Sequence, residues 1–174
     1  MPQKPVADIC AEPAGAGPLG FWPRLPRQGA PPIVVQMDED GCGPACAEML
    51  LRDRGFEVSQ RSIAESVPLP AMASDLARRM VELSGLSWLG GSLSVSGEVT
   101  WKLLHGLSAV SGSWAALLEP LGFRRFGHWV VVDGVTLDGV VLVRDPAGSS
   151  YGIPLDDFAS LWRYTVVVFE EPSP

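Results

Sequence analysis

The chain is short of positive charge, of histidine and of long apolar runs, and each shortage removes a class of function. Thirteen Lys and Arg stand against 20 Asp and Glu, a net charge of −7, and no basic cluster exceeds Arg124-Arg125. Nucleic-acid binding draws most of its affinity from neutralised phosphates, so neither nucleic acid nor an anionic membrane is expected as a partner. No stretch stays apolar for the roughly 20 residues of a bilayer span, and the N-terminus lacks the charged-then-apolar signal pattern. The expectation is a soluble, cytoplasmic protein, or one exported by a route without a cleavable signal peptide. Three cysteines are an odd number in a chain too long to need disulfide staples, which suits a reducing compartment. Cys42-x3-Cys46 with two scattered histidines matches no usual zinc spacing, so no metal is expected.

What is present argues for one folded domain. The 174 residues are 47% hydrophobic and 19% charged, the balance of a chain with a sizeable core rather than a disordered one. Sixteen prolines and 19 glycines speak against a plain helical bundle. They crowd residues 1–32, which read as an extended arm or linker, with Phe21 and Trp22 able to pin part of it to the domain surface. Cys10 lies in this arm and carries no evident role. Residues 33–174 read as the domain proper.

Helical periodicity is expected from Cys42 to the stop at Gly55, over 59–67 with Ser59 as cap, and from cap Ser74 to Gly85. A fourth helix is expected over Glu98 to His105. The character then changes to short Val- and aromatic-rich runs, SWAALLEP, HWVVVDG, GVVLVRD and YTVVVFEE, which read as strands, with one more helical turn or two at 154–162. Helices followed by a mostly antiparallel sheet make an α+β arrangement.

Cys42 stands where loop becomes helix, the place where unpaired N–H groups and the positive end of the helix dipole favour thiolate over thiol. Pro44 suits the first helical turn, and Gly41 and Gly43 would let a substrate backbone approach the sulfur. A thiolate nucleophile needs a general base, and the base needs an orienting partner. His128 opens one predicted strand and Asp145 closes the next. If the hairpin apex falls between Thr136 and Leu137, the two face each other; if Asp138-Gly139 centres the turn, they are offset. Gln36, on the loop before Cys42, would donate its amide to a developing oxyanion together with the Cys42 N–H.

Gln36-x5-Cys42-Gly43-Pro44-Ala45-Cys46, then Gly127-His128-Trp129-Val130-Val131-Val132 and Asp145-Pro146-Ala147-Gly148, resembles the papain-like bacteriocin-processing (double-glycine leader) peptidases over roughly residues 33–170. The resemblance implies a papain-like cysteine peptidase fold with the catalytic Cys at a helix start packed on the sheet. It implies Cys42 as nucleophile, His128 as base, Asp145 as orienter and Gln36 at the oxyanion hole. Cleavage after small residues such as Gly-Gly follows, on a peptide or protein substrate and without cofactor. The role would be that of a maturation peptidase, or of an effector toxin cutting target proteins. An inhibitor, immunity or carrier protein is conceivable as partner but nothing in the sequence identifies one. Two other functions use the same residues: a transglutaminase or glutamine amidase with the same triad, and a papain-like domain that binds peptide without cutting it.

Several residues have plainer expectations. Cys46 reads as a buried small hydrophobe, and Trp101, Trp114 and Trp162 as core. His105 reads as a cation near the C-terminal end of its helix. Gly90-Gly91, although it looks like a cleavage pair, reads as a turn between helix and strand.

Overall fold

A computed structural model describes residues 22–119 and 127–171. The arm up to Phe21, with Cys10, and the Arg124-Arg125 pair lie outside the described residues. The elements are α1 (Cys42–Arg52), α2 (Gln60–Ala64), α3 (Ala73–Ser84), β1 (Trp88–Ser92), α4 (Trp101–Ser111), β2 (Trp114–Leu118), β3 (His128–Val135), β4 (Val140–Asp145), β5 (Ser149–Pro154), α5 (Leu155–Leu161) and β6 (Trp162–Phe169). One six-stranded sheet has the order β1-β6-β2-β3-β4-β5, with every pairing antiparallel.

The sheet is buried on both faces, which is why its central strands read as continuous apolar runs rather than as alternation. Along β3, Trp129 and Val131 join the core shared with α1 and α3, while Val130 and Val132 join the opposite core with Trp114, Leu104 of α4 and Phe158 of α5. Period-two geometry thus feeds two cores from one strand. Helix α1 lies deepest: every residue from Cys42 to Leu51 is buried. No helix of the described residues is long and apolar enough to cross a membrane.

Local differences from the sequence reading have physical causes. Helix α3 starts at Ala73 with Met72 as its uncapped N-cap residue, placing Ser74 inside the first turn rather than at the cap. Burial of Ala73 against β1 sets that start, since a Cβ on Gly90 would lie 2.0 Å from the Ala73 carbonyl oxygen. Gly90-Gly91 is therefore part of strand β1, not a turn; glycine is what lets α3 and the strand meet. Helix α4 begins after Thr100, whose hydroxyl accepts from the Leu103 N–H at 3.3 Å, and runs through Gly106 to Ser111. Its buried Leu104 outweighs the cost of about 1 kcal/mol for a mid-helix glycine. His105 is consequently mid-helix, stacked on Trp101 at 4.4 Å, and not near a C-terminus. Trp101 itself is half-buried, its indole donating to the Thr136 carbonyl, whereas Trp114 and Trp162 are core.

The β3–β4 hairpin takes the Asp138-Gly139 turn. Gly139 has φ +80°, its N–H donates to the Thr136 carbonyl, and Thr136 pairs with Val140. A bulge between Val132 and Gly134 then sets Val131 opposite Arg144, so His128 and Asp145 are offset along the ladder.

Residues 22–32 make ordered contacts with the sheet. The backbone of Leu25 bridges Gly152 of β5, and Arg27 binds Asp133 at 2.7 Å. Asp133 also accepts from Ser113 and from the wholly buried Arg144, whose guanidinium additionally holds Asp53 at the end of α1 and the Pro32 carbonyl. One buried cation thereby ties α1, β3, β4 and the N-terminal segment together.

Candidate active site

The loop into α1 is shaped by Asp38, whose carboxylate accepts from the Asp40 N–H and whose carbonyl accepts from the Gly41 N–H. A Cβ on Gly41 would press on Asp38 at 3.1 Å, and one on Gly43 would meet Ala71 at 2.9 Å and Leu76 at 3.1 Å. Both glycines thus allow the loop and α1 to pack closely. Pro44 sits in the first turn, where a missing N–H is harmless. Cys42 is the first helical residue and is 6% exposed, its surface forming part of a cleft of about 340 Å³. Ala71, Met72, Gly91, Gly127 and Trp129 line the same cleft. Its wall is fixed by the Trp129 indole, which donates to the Ala71 carbonyl at 3.0 Å.

Behind Cys42 lie His128 and Asp145, 2% and 0% exposed, with Nε2 and Oδ1 2.7 Å apart. The offset of the strands is bridged diagonally by the two side chains. Asp145 also accepts from the Ala147 N–H at 2.8 Å and from the Tyr151 hydroxyl at 2.6 Å. Burial alone would raise this carboxyl; the hydrogen bond and charge of His128, with Tyr151 and Ala147, outweigh it and hold it below its ordinary value. Burial likewise disfavours a charged imidazole. Hydrogen bonds that the ring donates to Asp145 and Cys42, with their charge, overcome that, raising His128 from 6.5 to about 9. Since Asp145 occupies Nε2, Nδ1 is the nitrogen left for Cys42. The ring is thus a cation at neutral pH with a sulfur on one side and a carboxylate on the other. Cys46, one helical turn on, is fully buried and its thiol is pushed well up by burial and by Cys42, as suits an inert hydrophobe.

Gln36 stands on the neighbouring loop. Its N–H donates to the Pro146 carbonyl at 2.8 Å, next to Asp145. Its amide Nε2 donates to the Asp38 carbonyl at 2.7 Å and, more weakly, to the Glu39 carbonyl at 3.4 Å, while its Oε1 is buried without a partner. Cys42, His128 and Asp145 are therefore brought together in one line, and Gln36 is anchored beside it with its amide turned to its own loop.

Sequence reasoning overlooked three residues here, Gln60, Tyr151 and Arg24, and placed a fourth, Trp22, only at the domain surface. Gln60 is 7% exposed and grips both neighbours of Gln36, donating to the Val35 carbonyl at 2.7 Å and accepting from the Met37 N–H at 3.1 Å. Tyr151 and Arg24 lie against Asp145, and Trp22 is buried over His128 rather than resting on the surface. Only Trp22 left a signal, as a large aromatic in a segment otherwise poor in them.

The fold, with a cysteine at the start of a buried helix and a histidine and an acid on adjacent antiparallel strands, is that of the papain-like cysteine peptidases. Residues 30–168 match the model of the Peptidase_C39 like family, and the chain belongs to that family. A curated relative, Cysteine protease effector 1 of Escherichia coli O1:K1:H7, is 36% identical over 150 residues. That match takes in 86% of this chain but 28% of the relative, so the chain spans little more than a quarter of the relative's length. Among solved structures, a C39-like peptidase from Bacillus anthracis is similar with a TM-score of 0.65 and 14% identity, over 82% of this chain and 96% of that one. The double glycine motif protease of an AMS/PCAT transporter, solved in complex with the leader peptide, is similar with a TM-score of 0.62 and 19% identity, over 86% of this chain and 98% of that one. Both likenesses establish the fold.

Proposed function

We propose that Cys42, His128, Asp145 and Gln36 carry the peptidase reaction, and that the substrate is a polypeptide cut after small residues such as Gly-Gly. The observation that carries this is the buried His128–Asp145 pair set directly behind Cys42 at a narrow cleft. Cys42 Sγ attacks the scissile carbonyl carbon and the carbonyl oxygen becomes an oxyanion. The Cys42 N–H, free at the helix start, and the Gln36 amide stabilise it; the long 3.4 Å contact to Glu39 is the one Gln36 gives up. His128 Nδ1 passes its proton to the leaving amine, the C–N bond breaks, and a thioester remains. The ring then takes a proton from water, whose oxygen attacks the thioester and releases Cys42. Asp145 keeps the ring oriented throughout and stabilises it whenever it is charged.

Ala71, Gly91 and Gly127 line the cleft, so an extended peptide backbone can lie close along its wall, which suits a run of small residues. The leader-peptide complex of the double glycine motif protease agrees with this preference. The name of the curated relative favours an effector that cuts target proteins over a maturation peptidase. Residues 33–174 would hold the chemistry, with the upstream segment acting as described below.

The test is mass spectrometry of a proteome-derived peptide library incubated with wild type and with Cys42→Ala. Cuts made by the wild type alone, clustered after Gly-Gly or another small pair, are expected. Conversion of glutamine to glutamate without cuts would move the reading to an amidase, and identical digests from both proteins would refute the role of Cys42.

A further inference from the structure

Residues 22–32 close over the side of the His128–Asp145 pair away from the cleft. Trp22 is 3% exposed, with its ring centroid 6.4 Å from that of His128. Its indole N–H donates to the Tyr151 hydroxyl oxygen at 3.1 Å, and the Tyr151 O–H donates to Asp145 Oδ2 at 2.6 Å. An indole can only donate and a carboxylate can only accept, so the direction of this relay is fixed. The other carboxylate oxygen, Oδ1, takes His128 at 2.7 Å.

The segment is fastened at successive points. The Arg24 guanidinium lies 4.5 Å from the Tyr151 ring centroid and 4.0 Å from Asp145 Oδ2. Leu25 exchanges both backbone hydrogen bonds with Gly152, each 2.8 Å, and a Cβ on Gly152 would lie 2.4 Å from Val140. Arg27 ends the run on the buried Asp133.

We propose that residues 22–27 are a working part of the active site, in which Trp22 and Tyr151 are positioning residues that fix the Asp145 carboxylate against His128. The inference rests on the triad reading above. Without the Tyr151 proton, Oδ2 is a buried acceptor short of a donor, and the carboxylate is free to turn away from the imidazole. Asp145 is faced by His128, Tyr151 and Arg24, with Cys46 and Arg144 further off; His128 is faced by Asp145 and Cys42.

The experiment compares full-length wild type with Tyr151→Phe, Trp22→Phe and both together. Each substitution keeps an aromatic ring in its slot. For Tyr151→Phe, kcat falls on the order of tenfold with KM little changed. The alkaline limb of kcat/KM against pH also moves to lower pH, as does that of Cys42 alkylation by iodoacetamide. Trp22→Phe shifts the limb in the same direction by less, and the double variant is no worse than Tyr151→Phe because both break one chain. Leu25→Pro, at an exposed position outside the core, removes the N–H given to Gly152 and shifts the limb the same way even if a ring variant fails to fold. A Tyr151→Phe profile that overlays the wild type, or strictly additive losses, overturns the inference. Asp145→Asn is measured in parallel: if it too leaves the limb in place, the triad reading itself fails; if it alone moves the limb, only the role of the strap falls.

Discussion

Asp145→Asn removes one charge and almost no volume from a site where the charge has three donors. The native carboxylate accepts from His128, Tyr151 and the Ala147 N–H. Asparagine has a single acceptor oxygen. Kept at the Oδ1 position, it serves His128 and Ala147 but turns its NH2 group on a Tyr151 hydroxyl that already accepts from Trp22. Flipped, the NH2 group faces His128 Nε2, which must then give up its proton. Either arrangement works against the imidazolium. In the wild type the ring titrates at about 9 rather than 6.5, although burial alone would lower it. Without the carboxylate, burial is opposed by Cys42 alone and the ring falls back towards its ordinary 6.5. At pH 8 a ring of pKa 6.5 is only about 3% protonated, so the ion pair drops roughly thirtyfold from protonation alone. The loss shrinks towards pH 6. Both kcat/KM and the rate of Cys42 alkylation by iodoacetamide, followed from pH 5 to 10, read it without assuming a substrate. An alkaline limb left where the wild type has it would refute the assignment of Asp145 as the group that charges His128.

The same linkage has a stability side. The folded pKa of His128 is raised, so its contribution of roughly 3 kcal/mol is fully present below pH 6.5 and is lost as pH rises through about 9; urea unfolding at pH 6 and 9.5 checks it, and a gap between wild type and Asp145→Asn that ignores pH contradicts it. Arg144→Leu takes the cation from Asp53, leaves Asp133 with Arg27 and Ser113 alone, and is expected to cost about 3–5 kcal/mol, read from the urea midpoint. Gly90→Ala drives a methyl against the Ala73 carbonyl and should cost about 1–3 kcal/mol or more, while Gly91→Ala, with nothing within 4 Å, should leave the melting temperature unchanged. Equal melting temperatures for those two variants would show that the pair has no packing role. Gln60→Ala releases both neighbours of Gln36, so kcat is expected to fall on the order of tenfold with KM held and the alkaline limb in place; an unchanged kcat argues against a loop that must be held.

The helix-start cysteine, the lone strand-opening histidine and the acid at the next strand's end were legible because each sits at a boundary between two periodicities, and boundaries are where pattern is sharpest. Central strands were legible for a related reason, since burial on both faces makes them unbroken apolar runs. Strands β1 and β5 were not. WLGGS and SSYGIP carry glycines chosen for contact with Ala73 and with Leu25, so their composition mimics turns. Gln60 could not be found either, because a glutamine early in a short helix looks like any polar surface residue until a distant loop is folded onto it. Arg24, and the depth at which Trp22 is buried, were hidden by their setting: proline and glycine announce an irregular backbone, and an irregular backbone can still be tightly bound.

Trp22 and Tyr151 touch across 129 residues of sequence. Ribosomes add about 5–20 residues per second, so the tyrosine is made on the order of ten seconds after the tryptophan. The thiol-bearing helix is synthesised early in that interval, and the strand with its base follows late. A nascent chain therefore carries the Cys42 thiol well before the histidine and the acid that stand behind it in the folded molecule.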